Sequence, residues 1–122
     1  MLEVKSTSKP NEQHLFPYGR LEVTSVGGLT FEIATLQPGW RWSKWVKPIT
    51  GTDSWMKAHR GYCVSGHLFI RMNDGSEAII SPGDTFVASP GHDAWVIGDE
   101  ACVFYDFPGD SADNTKTGTK AG

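Results

Sequence analysis

Between Asp53 and His59 the chain places a carboxylate, an indole, an ammonium and an imidazole at alternate positions: Asp53, Trp55, Lys57 and His59. Side chains two residues apart along a strand share a face. Facing a closed cavity, such a set could hold a small molecule and move a proton; facing water, it would be a decorated surface. The alternate face, Ser54, Met56, Ala58 and Arg60, is no more apolar, so periodicity alone does not choose. Asp53 and His59 lie six peptide steps apart, roughly 20 Å on an extended strand. Asp53 is therefore expected at the rim, and Asp93, Asp84, Tyr105 or Tyr62 remain open as the group that orients His59.

The remaining titratable residues suggest quieter roles. His92, in P-G-H-D-A-W, follows a turn and is expected to pin its loop by side-chain hydrogen bonds. His14 and His67 look incidental. Cys63 and Cys102 sit in apolar segments without C-x-x-C spacing, the pattern of buried free thiols in a reducing compartment. Cys63 shares the face of His59 and could line a pocket. Five tryptophans stand in the chain, with Trp40, Trp42, Trp45 and Trp55 grouped around one strand-turn-strand unit, where they can fill a core or wall a site.

These residues must be carried by strands. From Arg20 onward short β-prone runs alternate with turn dipeptides: R-L-E-V-T-S-V, Gly27-Gly28, L-T-F-E-I-A-T-L, Pro38-Gly39. Asn73-Asp74-Gly75 between H-L-F-I-R-M and S-E-A-I-I predicts a tight hairpin, because Asn and Gly tolerate positive φ. No window carries helical periodicity for three turns. Many short strands in 122 residues predict one all-β domain, a sandwich or closed barrel, since open edges invite aggregation. The barrel is expected over residues 13–108, after a flexible N-terminal arm at 1–12 and before a disordered, apolar-poor tail at 109–122.

Eleven basic against fourteen acidic residues give a net charge of −3. The basic residues are scattered, which argues against a nucleic-acid partner. The N-terminus lacks an apolar signal core and no run is long enough to span a bilayer. The expectation is a cytoplasmic protein with no membrane association.

The segment from Asp53 to Gly66 and its counterpart from Ser81 to Trp95 resemble the paired motifs of the cupin family. His59, R-G-Y-C-V-S and Gly66 are similar to the E-x6-G of the first motif, with His in place of Glu. Gly83-Asp84 and Gly91 are similar to the second motif, with its proline shifted to Pro90. The resemblance spans about residues 29 to 107. L-Q-P-G-W-R-W-S, Gly51-Thr52-Asp53 and P-G-H-D-A-W-V-I-G-D-E are more similar to a subgroup of small single-domain cupins without settled activity. The resemblance implies a jelly-roll β-barrel, often a homodimer, with its site in the barrel mouth, and it is this that turns Trp55 and His59 inward.

Carried over by position, the cupin metal set falls on Asp53, Trp55, His59 and Ala94. Trp and Ala cannot ligate a metal, and Lys57 would repel a cation. The expectation is a site with no metal cofactor. An indole at position 55 would favour a flat or apolar small-molecule ligand, with Trp40, Trp42, Trp45, Asp53, Lys57, Cys63 and Tyr105 around it and His59 as general acid/base. Isomerase, cyclase or lyase chemistry would follow. Two alternatives stand beside it: a metal-dependent oxygenase or isomerase using His59, His92 and a carboxylate, and a non-enzymatic binding or assembly module in which Trp55 only completes the core.

Overall fold

Alternation builds the strands that enclose the interior. In the computed structural model, which describes residues 1–107, nine strands form. They are β1 (Glu12–Phe16), β2 (Gly19–Val26), β3 (Leu29–Leu36), β4 (His59–Ser65), β5 (His67–Met72), β6 (Glu77–Ile80), β7 (Thr85–Ala88), β8 (His92–Ile97) and β9 (Cys102–Asp106). β4 buries His59, Gly61 and Cys63 while Arg60, Tyr62 and Val64 stay exposed. β8 buries His92, Ala94 and Val96, and β9 buries Cys102, Phe104 and Asp106. Each of these three alternations thus puts an ionisable residue on the inward face.

All pairings are antiparallel, in a six-stranded sheet of order β1-β2-β3-β9-β4-β7 and a three-stranded sheet of order β6-β5-β8. The core lies between them, where Leu36, Leu68, Ile70, Ala94 and Phe104 pack with Trp40 and Trp42. Burying one side chain such as Leu or Phe stabilises the fold by about 1.5–3 kcal/mol.

Glycine is required where the two sheets hinge. Gly66 joins β4 to β5 at φ 71°, and a Cβ there would meet the Ala101 carbonyl oxygen at 2.3 Å and Cys102 Cα at 2.6 Å. The Asn73–Gly75 hairpin forms as the sequence predicts, with Gly75 at φ 93° and its N–H donating to the Met72 carbonyl at 3.0 Å.

Two expectations are corrected. Residues 53–58 do not form a strand; β4 begins at His59, and Trp55 joins the sheets only through an isolated bridge to His92. The Trp-rich stretch before it is helical: a π-helical turn at Trp42–Val46 runs into α1 (Lys47–Thr50), closed by Gly51 in the left-handed region at φ 75°. Propensity hid both, because Pro48 at the start and Gly51 at the end frame a helix too short to show periodicity. Glu12, placed in the N-terminal arm, opens β1, and residues 1–10 carry no strand. The tail expected at 109–122 lies outside the described residues. Among the described residues no helix is long and apolar enough to cross a membrane.

Candidate functional site

Five aromatic or imidazole rings meet in the interior, and Trp55 is at their centre. Its ring centroid lies 4.4 Å from His59, 5.2 Å from His92, 5.6 Å from Trp40 and 6.4 Å from Trp42. The Trp42 stack is nearly parallel, at 9°. On a straight strand, residues four apart would be separated by about 13 Å. The Trp55 and His59 rings converge because the chain between them leaves the strand path, tied by the Trp55 N–H to the His92 carbonyl at 2.7 Å and by the Gly91 N–H to the Trp55 carbonyl at 2.8 Å.

His59 is anchored by a residue that sequence reasoning did not single out. Its Nδ1 lies 2.6 Å from Asp106 Oδ2, with the two side chains 3% and 1% exposed. The second carboxylate oxygen of Asp106 accepts the Arg60 backbone N–H at 3.1 Å. Burial pushes the Asp106 carboxyl up, but the hydrogen bond and charge of His59, the Arg60 N–H and the charge of Lys57 outweigh it and hold the carboxyl below its ordinary value. An ionised carboxylate can only accept, so Nδ1 carries the proton and, in the neutral ring, the lone pair is on Nε2. The signal for Asp106 was the alternation Cys102, Phe104, Asp106 running inward on β9. None of the four candidates for orienting His59 does so.

His92 is pinned in the same way. Its Nδ1–H donates to the Ser89 carbonyl at 2.9 Å. Burial, then the charge of His59, pull its pKa down to about 4, so at neutral pH His92 presents a lone pair on Nε2. The His59 and His92 rings are 5.2 Å apart. Among the described residues five buried side-chain polar atoms lack a protein partner: Thr24 Oγ1, Trp40 Nε1, Trp42 Nε1, His59 Nε2 and His92 Nε2. Four of the five belong to rings in contact with Trp55.

The other sequence-derived candidates fall in different places. Trp40 and Trp42 are buried in the cluster. Trp45 is not in it: its Nε1–H donates to the Gly39 carbonyl at 3.2 Å and its ring packs on Tyr18 at 5.0 Å. Asp53 is exposed in the connection before the bridge. Tyr105 lies on the outward face of β9, opposite Ile33 and Tyr62, because alternation sends it away from Phe104 and Asp106. Lys57 is half-buried and ion-paired with Glu32, which stands opposite Asp106 in the β3–β9 register. Cys63 is buried, its thiol directed to the carbonyls of Ser65 at 3.4 Å and Gly66 at 3.6 Å. Burial raises the Cys63 thiol pKa and pushes that of Cys102 up to about 12; both behave as inert core thiols.

The donor set does not fit a catalytic metal. Such an ion usually takes about three protein ligands, whereas Asp106 is committed to His59 and Arg60, leaving two imidazole nitrogens. Among the described residues no group of three His, Cys, Asp or Glu side chains is placed to hold an ion.

Two antiparallel sheets packed over a common core, together with the likeness to the solved structures below, give the chain the cupin fold. Among solved structures it is similar to ectoine synthase from P. lautus, with a TM-score of 0.62 and 15% identity over 97% of this chain and 86% of that one. It is also similar to a Vibrio parahaemolyticus protein of unknown function, with a TM-score of 0.57 and 11% identity over 80% of this chain and 96% of that one. The formate complex of Lactobacillus farciminis oxalate decarboxylase matches with a TM-score of 0.57 and 21% identity over 81% of this chain, which spans 31% of that longer one. No protein-family model matches the sequence, and no curated protein matches it. At these identities the likeness defines the fold and leaves the chemistry to the residues of this chain.

Proposed function

We propose that this chain is a cupin-fold enzyme that binds a small, largely apolar or aromatic molecule in the barrel and transfers a proton with His59, in isomerase, cyclase or lyase chemistry. The observation that carries the reading is the buried His59–Asp106 pair. Its carboxylate fixes the tautomer and leaves Nε2 as the one nitrogen of His59 without a protein partner. A base held in this way can take a proton from a carbon or oxygen acid, and the ionised Asp106 stabilises the imidazolium that results. The indoles of Trp42 and Trp55 supply flat apolar surface beside it. Two neighbours in fold are by name a synthase and a decarboxylase, which supports the use of such a barrel for catalysis.

Carbon-bound hydrogen exchange tests proton transfer whatever the natural substrate is. A panel of small aromatic and unsaturated ketones and acids is incubated with the protein in D2O, and hydrogen exchange at carbon is followed by NMR. At least one compound should exchange in the presence of the wild-type protein, and His59→Gln should slow that exchange by roughly a hundredfold or more. Exchange that survives the substitution at the wild-type rate would refute the assignment of His59.

A further inference from the structure

Each of the four rings packed around Trp55 carries a nitrogen with no protein partner, and each of those residues is at most 2% exposed. The set is complementary within itself: Trp40 and Trp42 offer N–H donors, while His59 and His92, with Nδ1 committed to Asp106 and to the Ser89 carbonyl, offer Nε2 acceptors in their neutral forms. Buried polar groups are almost always satisfied in folded proteins. An indole ring at their centre has no lone pair to give the N–H groups of Trp40 and Trp42, and its own N–H serves neither imidazole nitrogen. Trp55 is also the one member of the cluster that is only partly buried. It lies between Gly51 and Ala58, outside any strand, and its backbone is tied by the single bridge to Gly91 and His92. Rotation about its side-chain bonds breaks none of those backbone bonds.

We infer that the centre of the barrel is a binding site for a flat bicyclic ligand carrying a carbonyl beside an N–H or O–H, and that the Trp55 indole occupies this site until such a ligand displaces it. The carbonyl accepts from the indole N–H of Trp40 or Trp42, and the ligand's own N–H or O–H donates to His59 or His92 Nε2. The flat rings take the place of the Trp55 ring on Trp42. The inference rests on the reading of the interior as a site and adds to it the ligand's shape, its hydrogen-bonding pattern and the group that must move. Trp55 thereby competes with the ligand for one seat, and binding strength becomes the difference between two occupants.

The probe is 2-quinolone, a bicyclic lactam, compared with naphthalene, which has the same outline and neither polar group. Titrations of the wild type and of Trp55→Ala are followed through the indole N–H signals of Trp40 and Trp42 by NMR. The lactam should shift those signals in both proteins, bind Trp55→Ala at least tenfold more tightly than the wild type, and bind that variant at least tenfold more tightly than naphthalene does. Naphthalene binding as tightly as the lactam would overturn the inference, as would a variant that keeps the wild-type β-sheet signal and binds the lactam no better than the wild type. If Trp55→Ala does not fold, the wild type decides: signals of Trp40 and Trp42 that stay unmoved up to the solubility limit of the lactam refute it. No reaction is required for these readouts. A failure here with His59-dependent carbon exchange intact removes only the ligand assignment, and the reverse result removes only the proton transfer.

Discussion

Asp106 has two oxygens and two donors to satisfy, and an amide cannot do the same. In Asp106→Asn the remaining carbonyl oxygen can accept from the Arg60 N–H or from His59 Nδ1–H, and the new NH2 faces the other group. The arrangement with fewest conflicts keeps the Arg60 bond and turns the amide's N–H toward Nδ1, which moves the imidazole proton to Nε2 and removes the free lone pair. Nitrogen NMR of His59 should therefore report the opposite tautomer, and any His59-dependent exchange should fall roughly a hundredfold or more. The neighbouring pair is a different case. Glu32 stands opposite Asp106, and like charges facing across strands repel unless each is paired. Lys57 supplies the counter-charge. Lys57→Met should thus destabilise the protein more than the Lys57→Met, Glu32→Gln double substitution does. In chemical denaturation the coupling should come to about 1 kcal/mol for a pair of side chains 21% and 15% exposed, a screened and partly solvated contact.

Strands and their junctions are where the sequence was most and least informative. β2 and β3 were legible as β-prone runs cut by Gly27-Gly28 and Pro38-Gly39, and the hairpin at Asn73–Gly75 because its residues fit only a few turns, whereas the inward alternation of β8 and β9 went unread. The stretch from Trp40 to Ala58 was not legible either. Its aromatic residues share no period, its helical turns are shorter than any periodic signal, and Trp55 reaches the interior through a bridge whose partner lies far along the chain. For the same reason Asp53, Trp55, Lys57 and His59 read in sequence as one straight row, whereas Trp55 and His59 bring their rings together, Lys57 pairs with Glu32 and Asp53 is exposed. At the β4–β5 junction geometry leaves less latitude. Gly66→Ala would drive a methyl into the Ala101 carbonyl while adopting a φ that L-residues disfavour. A loss of about 2 kcal/mol or more in urea unfolding is expected. The same change at Gly75, where a Cβ would meet nothing within 4 Å, should cost less, about the 1 kcal/mol attached to positive φ alone.

For the molecule as a whole, the buried imidazole of His92 makes stability depend on pH. An unfolded His92 takes up its proton around pH 6.5, whereas the buried ring, beside His59 and with Asp93 and the Ser89 carbonyl as its favourable neighbours, does so only at about 4. Between those values the unfolded chain binds more protons, so stability falls as pH drops through the window. About 2 kcal/mol should be lost between pH 7 and pH 5 by linkage. Urea midpoints at the two pH values measure it, and His92→Gln should flatten the difference. Asp106 acts lower down. Its depressed folded pKa contributes stability above the ordinary carboxylate value of 3.8 that is lost only as pH falls below it. Among the described residues the β6 edge and the β7 edge do not pair, and an apolar cleft of about 150 Å³ runs between them. Phe86 and Ala88 line it, the one in ring contact with Phe104 beside His59 and the other opposite His59 in register.

The parallel stack of Trp42 on Trp55 also couples two chromophores at a fixed angle and separation. Their electronic transitions mix, and the sign and size of the resulting dichroic band depend on how the rings face each other. A departure of Trp55 from its seat would erase that band while the β-sheet signal stayed constant, so the chain carries its own optical gauge of where that ring lies.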